Sequence, residues 1–197
     1  KVGGHGFKSL RADNGAVKKD KNKLQHPSYE RHDEIGWNYR LPEINSAIAY
    51  AQLESLEQIV QLRIDSANIF LEVIKNCSYL IPQKTPEDRT NSYWALGVIY
   101  NGEKEIGISW YDFRQKYIEM GGDGIYGAWQ VPYNEPVMRE RNFVKRNPEI
   151  YKDIYYKQGL CPLAEEIQKK LMVFKTNYRN LDLAKYKAYC LKKIRSY

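Results

Sequence analysis

The feature that most constrains this chain is a glycine-containing polar loop that runs directly into a long stretch of helical apolar spacing. The loop covers residues 34–41, and Pro42 suits the first helical position, where its missing N–H costs nothing. Glu43 then favours the positive end of the helix dipole. Apolar side chains recur at helical spacing as far as Ile74. An unbroken helix from Pro42 to Lys75 would span about 50 Å. That is more than the width of one small domain, so we predict that this helix passes from one domain to another.

Shorter strand and helix patterns alternate through the rest of the chain. We predict an edge strand over 80–86, a strand over 93–100, a short strand at 173–174, and helices that begin at Trp110, Pro162 and Leu181. Ser109 and Asn180 are the expected caps of the first and last of these helices, and Gly121-Gly122 is the expected end of the first. Residues 1–35 show little periodicity and are predicted to be loop. The pattern indicates a mixed helix and strand domain.

The charge balance of the chain is basic. Its 31 Lys and Arg residues exceed its 24 Asp and Glu residues, which gives a net charge of +7. A solvated basic surface is sufficient to explain this balance, which is also compatible with an anionic ligand or with nucleic acid. The lysine run at 18–23 has no interleaved aromatic residues and no known nucleic-acid-binding module around it. We therefore predict no nucleic-acid partner.

Metal, disulfide and membrane signals are missing from the sequence. Cys77, Cys161 and Cys190 are far apart and outside any C-x-x-C spacing, which favours a reducing cytoplasm. The three histidines have no cysteine or carboxylate at ligand spacing, so we predict no metal site. No apolar run approaches the roughly 18 residues of a membrane span. The chain also begins without a methionine, as if in the middle of a longer protein.

Two blocks of the sequence resemble one known family. The first consists of Gly36-Trp37-Asn38-Tyr39-Arg40, Leu41-Pro42-Glu43-Ile44, Ala51-Gln52-Leu53-Glu54 and Arg63. The second consists of Leu160-Cys161-Pro162-Leu163-Ala164-Glu165-Glu166-Ile167-Gln168 and Phe174-Lys175-Thr176-Asn177-Tyr178. Both are similar to the pyridoxal-phosphate-dependent nucleotide-sugar aminotransferases of the DegT/DnrJ/EryC1/StrS family. The resemblance covers most of the chain and lacks the family's N-terminal half.

The resemblance implies an α/β fold, with an α+β small domain, from the C-terminal part of the aspartate-aminotransferase (fold type I) architecture. Residues 1–55 would end the large cofactor domain and begin the linking helix, and residues 56–197 would form the small domain. The cofactor would be pyridoxal phosphate, and the lysine that forms its Schiff base would lie upstream of residue 1. We therefore expect no catalytic residue in this chain and no transaminase activity from it alone. The implied partners are a second copy of the chain, with shared active sites, a nucleotide sugar and glutamate as the amino donor.

The resemblance also assigns the candidate site residues. Asn38 matches the family's asparagine that reaches the cofactor phosphate of the other subunit, and an amide N–H₂ suits phosphate oxygens. Arg40 could bind a diphosphate or carboxylate through two hydrogen bonds, or could tie its loop to the helix, and both interpretations stay open. The expected substrate contacts are Arg40, Tyr39, His5, Tyr126, Trp129 and Tyr133.

Residues 124–138 fit neither a regular strand nor a regular helix. Their glycines, prolines and aromatic residues interrupt both strand and helix patterns, so an irregular core edge and a ligand-facing segment are both open. The resemblance favours the ligand-facing role. Many family members have histidines here, whereas this chain has Gln130 and Asn134, so details of sugar binding do not transfer. The alternative function is a non-catalytic dimerisation or binding module with the same fold.

Overall fold

The computed structural model describes residues 7–9, 20–30, 32–35, 41–141, 149 and 152–195. By their contacts, the residues form two compact units. The first unit consists of residues 1–42 and 128–169, and the second of residues 43–127 and 170–197. The predicted boundary after residue 55 concerns the domains of a whole aminotransferase and stays a prediction.

The described elements follow one another in a mixed order. They are β1 Phe7–Ser9, α1 Lys21–Gln25, β2 His32–Ile35, α2 Glu43–Leu53, α3 Leu56–Ile74, β3 Leu80–Pro82, β4 Leu96–Tyr100, α4 Gly102–Ile106, α5 Trp110–Glu119, β5 Tyr126–Gly127, a 3₁₀ helix Pro132–Asn134, α6 Pro136–Arg139, α7 Pro162–Lys170, β6 Leu171–Phe174 and α8 Leu181–Arg195. No helix in the described ranges is long and apolar enough to cross a membrane.

The second unit is built on a sheet with the strand order β3-β4-β6-β5, in which every neighbouring pair is antiparallel. The proline-punctuated β3 lies at an edge, as predicted. Strand β4 begins at Leu96, later than predicted, because Tyr93 has a φ of +45° that extended backbone does not allow. The side chain of Asn91 accepts the Tyr93 N–H at 2.9 Å, and Thr176 Oγ1 donates to the Tyr93 carbonyl at 2.7 Å. These contacts hold the turn before the strand.

Helices α3, α5 and α8 bury their apolar faces in the core of the second unit. The Phe70 ring of α3 lies 5.8 Å from the Phe174 ring and 6.2 Å from the Tyr178 ring, between ring centres. The largest fully buried apolar residues include Tyr117, Phe113, Ile74, Leu80, Leu96, Ile125, Met172 and Leu191. Packing in this core determines the order of the strands, which the apolar spacing of the helices alone could not predict.

The caps that the sequence predicted are confirmed. Ser109 Oγ accepts the Asp112 N–H at 3.0 Å at the start of α5, and Gly121 follows this helix with a φ of +92°. Asn180 Oδ1 accepts the Asp182 N–H at 2.8 Å at the start of α8. The predicted helix from Pro162 and the strand at 173–174 are present as α7 and β6. Short polar side chains and glycine determine these boundaries locally, which is why the sequence could predict them.

The helical pattern from Pro42 to Lys75 forms two helices and not the single unbroken one that would span about 50 Å. Helix α2 ends at Leu53, and α3 begins at Leu56. The Ser55 N–H bonds to the Gln52 carbonyl at 3.2 Å, a turn-like contact in place of the helical one. Serine favours helix caps over interiors because it offers the backbone alternative hydrogen bonds. Apolar spacing continues across the break, so the period alone could not reveal it.

The prediction of loop over residues 1–35 is wrong where the structure describes them. Strands β1 and β2 pair antiparallel, and their register shifts between Lys8 and Ser9. Asp20 caps α1 by accepting the Asn22 N–H at 2.9 Å. A short strand with an irregular register gives no sustained alternation, so its periodicity was too weak to predict.

Candidate functional site

An open cleft lies within the first unit, between residues 128–132 and residues 161–168. Its volume is about 670 Å³. That volume lies within the range of about 300–1,000 Å³ typical of small-molecule sites. The described lining includes no charged residue and consists of Ala128, Trp129, Gln130, Val131, Pro132, Cys161, Pro162, Leu163, Ala164, Ile167 and Gln168.

Local sequence explains both walls of the cleft. Pro162 occupies the first position of α7, and the Cys161 carbonyl accepts the Glu165 N–H at 3.0 Å, so Cys161 lies at the helix cap. On the other wall, Pro132 ends any extended run and begins the 3₁₀ helix. Trp129 belongs to this second wall, three residues before Pro132, and 47% of its surface is exposed. The cleft is therefore formed by a helix start and an irregular segment that carries an accessible indole.

A buried tyrosine joins the two walls. The Tyr133 hydroxyl donates to Glu165 Oε1 at 2.5 Å and accepts the Cys161 N–H at 3.0 Å. The same carboxylate oxygen accepts the Gly159 N–H at 2.7 Å. Burial and the hydrogen bond to Glu165 raise the pKa of Tyr133 to about 12, and the hydrogen bond from Tyr133 lowers the pKa of Glu165. The pair is thus a neutral donor and an ionised acceptor at neutral pH.

Gln168 connects the helix wall to two other segments. Its Nε2 donates to the Pro27 carbonyl at 2.7 Å and to the Ala128 carbonyl at 3.1 Å, and the residue is 8% exposed. Carbonyl oxygens cannot donate, so these two partners fix the orientation of the amide. The Arg139 guanidinium also donates to Glu30 Oε1 at 2.8 Å, and this hydrogen bond raises the pKa of Arg139. Side-chain hydrogen bonds therefore hold residues 27–30 in the first unit.

The predicted site residues do not all lie at the cleft, and four of them lie outside the described residues. Asn38, Tyr39, Arg40 and His5 lie outside the described residues. Trp129 lines the cleft, whereas Tyr126 is a half-exposed residue of β5 in the second unit. Tyr133 is 9% exposed, and its hydroxyl is engaged by Glu165 and Cys161. The roles of all seven residues in ligand binding stay predictions.

Sequence reasoning gave no role to Glu165 or Gln168, although both belong to the downstream block. Glu165 lies 32 residues from its partner Tyr133, and Gln168 lies 141 residues from its partner Pro27. No local spacing could indicate contacts over such distances along the chain. The helical phase of α7 could have placed Gln168 beside Ala164, because it lies four residues later on the same helical face, and both line the cleft. Among the residues that the structure describes, no group of three possible metal ligands is present.

A comparison with protein families identifies the chain. The model of the DegT/DnrJ/EryC1/StrS aminotransferase family matches residues 8–175. The chain belongs to this family. The resemblance inferred from the two sequence blocks is thereby confirmed.

Curated relatives match over a shorter region. The chain is 29% identical to the GDP-perosamine synthase of Vibrio cholerae and 32% identical to that of Escherichia coli O157:H7, each over 75 residues. Those residues are 38% of this chain and 20% of each synthase. The match therefore covers a fifth of the length of each synthase.

Solved structures show the fold. The chain is similar to Helicobacter pylori PseC, an aminotransferase involved in pseudoaminic acid biosynthesis, with a TM-score of 0.51 and 19% identity over 99% of this chain and 44% of that one. It is also similar to the E. coli GDP-4-keto-6-deoxy-D-mannose-3-dehydratase with hydrated PLP bound, with a TM-score of 0.53 and 23% identity over 79% and 36% of the two chains. The fold is that of fold type I PLP enzymes, as predicted.

Membership of this family indicates dependence on pyridoxal phosphate. The resemblance implies that the lysine which such a cofactor needs lies upstream of residue 1, and this stays a prediction. Every described lysine whose side-chain burial is given is exposed or half-buried, and one of the half-buried ones, Lys187, donates to the Gly121 carbonyl at 2.8 Å and pairs with Asp123 at 3.5 Å. Asn38, the expected phosphate ligand, lies outside the described residues.

Proposed function

We propose that this chain is the C-terminal portion of a pyridoxal-phosphate-dependent aminotransferase that transfers an amino group from glutamate to a keto-sugar nucleotide. The family match over residues 8–175 carries the proposal. The names of the relatives support a nucleotide-sugar substrate, because they include enzymes of GDP-linked deoxysugars. Three unpaired cysteines, Cys77, Cys161 and Cys190, support the cytoplasm as its location.

The proposed enzyme is a homodimer built through residues 34–52. Helix α2 supports this because none of its residues is buried. Its apolar side chains are instead exposed: Ile44 is 75% and Ile48 59% exposed, and Ala47 and Ala51 on the same helical face are exposed as well. A contiguous apolar helix face of this kind is typical of an interaction surface. The second copy is the occupant that the family resemblance implies.

The cleft is the proposed contact for part of the nucleotide sugar. Trp129 offers an exposed aromatic face, and aromatic and aliphatic residues dominate the lining, as in most small-molecule sites. Tyr133 is then a residue that positions the cleft walls and only indirectly supports binding, because its hydroxyl already has two partners.

The test uses protein expressed from the complete reading frame that contains this sequence. Incubation with pyridoxal phosphate, glutamate and GDP-4-keto-6-deoxymannose is expected to form 2-oxoglutarate and an amino sugar nucleotide, both detected by mass spectrometry. A reaction without glutamate is the control. Failure with this and with UDP- and dTDP-linked keto sugars would overturn the proposal and favour the non-catalytic binding module.

A cofactor variant tests the role of Asn38 in the same protein. Asn38→Ala is expected to weaken retention of pyridoxal phosphate, since loss of one hydrogen bond to a charged group costs about 1.5–3 kcal/mol. Retention is measured by absorbance after gel filtration. Asn68→Ala, at an exposed position of α3, is the matched control. Equal retention in the two variants would contradict the assignment of Asn38.

A further inference from the structure

The cleft of the first unit is uncharged, and this limits which part of a nucleotide sugar it can hold. Its described lining contains no lysine or arginine. A diphosphate carries negative charges that are costly to remove from water without cationic or dense N–H partners. The cleft therefore suits an uncharged, flat end of the ligand.

Trp129 supplies a surface for such a group. Its indole is 47% exposed on the cleft wall, and Pro132, Leu163 and Ile167 add apolar area around the same space. A nucleobase stacks on an aromatic side chain through its π-face, whichever base it is. Stacking alone would therefore hold a base and would not select one.

Gln168 supplies the group that can select. Its two N–H donors are used by the Pro27 and Ala128 carbonyls, which leaves Oε1 as the only group of the side chain that can bind a ligand. Gln168 belongs to the cleft lining, and its hydrogen bonds to the described residues all leave from Nε2. The side chain is more than nine-tenths buried, so the oxygen is held in place before a ligand arrives.

We propose that this cleft binds the nucleobase of the nucleotide sugar, stacked on Trp129, with an imino N–H of the base donated to Gln168 Oε1. This inference rests on the proposed function for the substrate class. The Gln168 Oε1 acceptor selects bases that carry a ring N–H beside a carbonyl, as guanine and uracil do. It disfavours adenine and cytosine, because their ring nitrogens at that edge are hydrogen-bond acceptors and not donors. Gln168 is thus assigned as a specificity-determining residue.

The ligand itself provides the cleanest test, because changing it leaves the protein intact. The exposed Cys161 thiol at the cleft reports occupancy through its rate of alkylation by iodoacetamide, followed by peptide mass spectrometry, with half-buried Cys77 as the internal reference. GDP or UDP is expected to slow alkylation of Cys161 and to leave that of Cys77 unchanged. The analogues 1-methyl-GDP and 3-methyl-UDP lack the imino N–H and are expected to bind at least about tenfold more weakly.

A protein variant tests the stacking step separately. Trp129→Leu is expected to weaken protection by GDP or UDP by about fivefold to a hundredfold, from the usual contribution of one base stack, and Trp129→Phe to restore most of it. Trp94→Leu is the matched control, since Trp94 is 79% exposed in the second unit.

Three results would overturn the inference. One is protection of Cys161 by ribose 5-phosphate as strong as by GDP or UDP, which would assign the cleft to another part of the ligand. The second is equal protection by the methylated and unmethylated nucleotides, and the third is no protection by any nucleotide. Transamination of keto-sugar nucleotides by the complete protein does not depend on these outcomes, so the two proposals fail separately.

Discussion

Different kinds of internal contact stabilise each of the two compact units. The second unit has an apolar core in which Phe70, Phe113 and Leu96 are at most 1% exposed. In the first unit, the described buried apolar side chains are few, and hydrogen bonds from Gln168 and Tyr133 join segments far apart in sequence. Apolar burial contributes roughly in proportion to area, whereas a single hydrogen bond contributes only about 0.5–1.5 kcal/mol net. We expect the second unit to resist unfolding and the first to open locally at lower free energy.

The largest expected effect is the loss of a core aromatic residue. Phe70→Ala removes a 1%-exposed ring that packs on Phe174 and Tyr178. It should lower the free energy of unfolding by about 3–5 kcal/mol, because of lost burial and the cavity left behind. Guanidinium titration followed by circular dichroism measures this. The control is Trp94→Ala, outside the proposed dimer segment, where the side chain is 79% exposed and the change should stay within about 0.5 kcal/mol. Similar losses in both variants would contradict the comparison.

An intermediate effect is expected from a polar contact of the first unit. Gln168→Leu leaves the Pro27 and Ala128 carbonyls without their donor, at a cost of about 1–3 kcal/mol. Hydrogen exchange should accelerate around residues 27–30 and 128–132 and stay unchanged in α3. Gln58→Leu, on the exposed surface of α3, serves as the matched control. Faster exchange throughout both units would mean that they unfold as one.

A smaller effect is expected at high pH. Burial and the Glu165 hydrogen bond raise the pKa of Tyr133 to about 12, from an ordinary value of 10.0. The Tyr133 hydroxyl therefore makes its full contribution to the free energy of unfolding below pH 10. This contribution is lost as the pH rises towards 12, because only the tyrosine of the unfolded chain ionises in that window. Burial also raises the pKa values of Tyr117 and Tyr178 in the second unit.

Two phenylalanine variants separate these contributions. The free energy of unfolding should differ less between pH 9 and pH 11.5 in each variant than in the unchanged protein. Tyr178→Phe should reduce this difference more than Tyr133→Phe. The reason is that Tyr178 is 4% exposed in the core and also donates to Asp123 at 2.6 Å. The opposite order would show that the first unit depends on its tyrosine more than the second does.

The smallest effect on stability is expected on the exposed face of α2. Ile48→Glu places a charge where no side chain is buried, so the free energy of unfolding of the monomer should change by less than about 0.5 kcal/mol. Sedimentation should nevertheless show weaker self-association, since the charge must lose its water in an interface. Gln58→Glu adds the same charge on α3 and should leave association unchanged. An unaltered sedimentation profile for Ile48→Glu, or a monomer before substitution, would count against the proposed dimer.

The sequence by itself determined the family and the elements whose boundaries are local. Ser109 and Asn180 cap their helices through side chains that bond backbone two or three residues away, and such contacts can be predicted from neighbours alone. The two motif blocks were specific enough to identify the family that the comparison confirms.

The tertiary structure decided what depends on contacts far apart in the chain. Helices α2 and α3 share one apolar period, yet α3 buries Phe70 and Ile74 whereas α2 buries no residue, because the period predicts an apolar face and not what covers it. The same limit applies to the cleft. The family resemblance predicted Tyr133 as a substrate contact, and only the fold brings Glu165, 32 residues away, to its hydroxyl. Pairings of this length are set by packing of the whole unit, which no local pattern encodes.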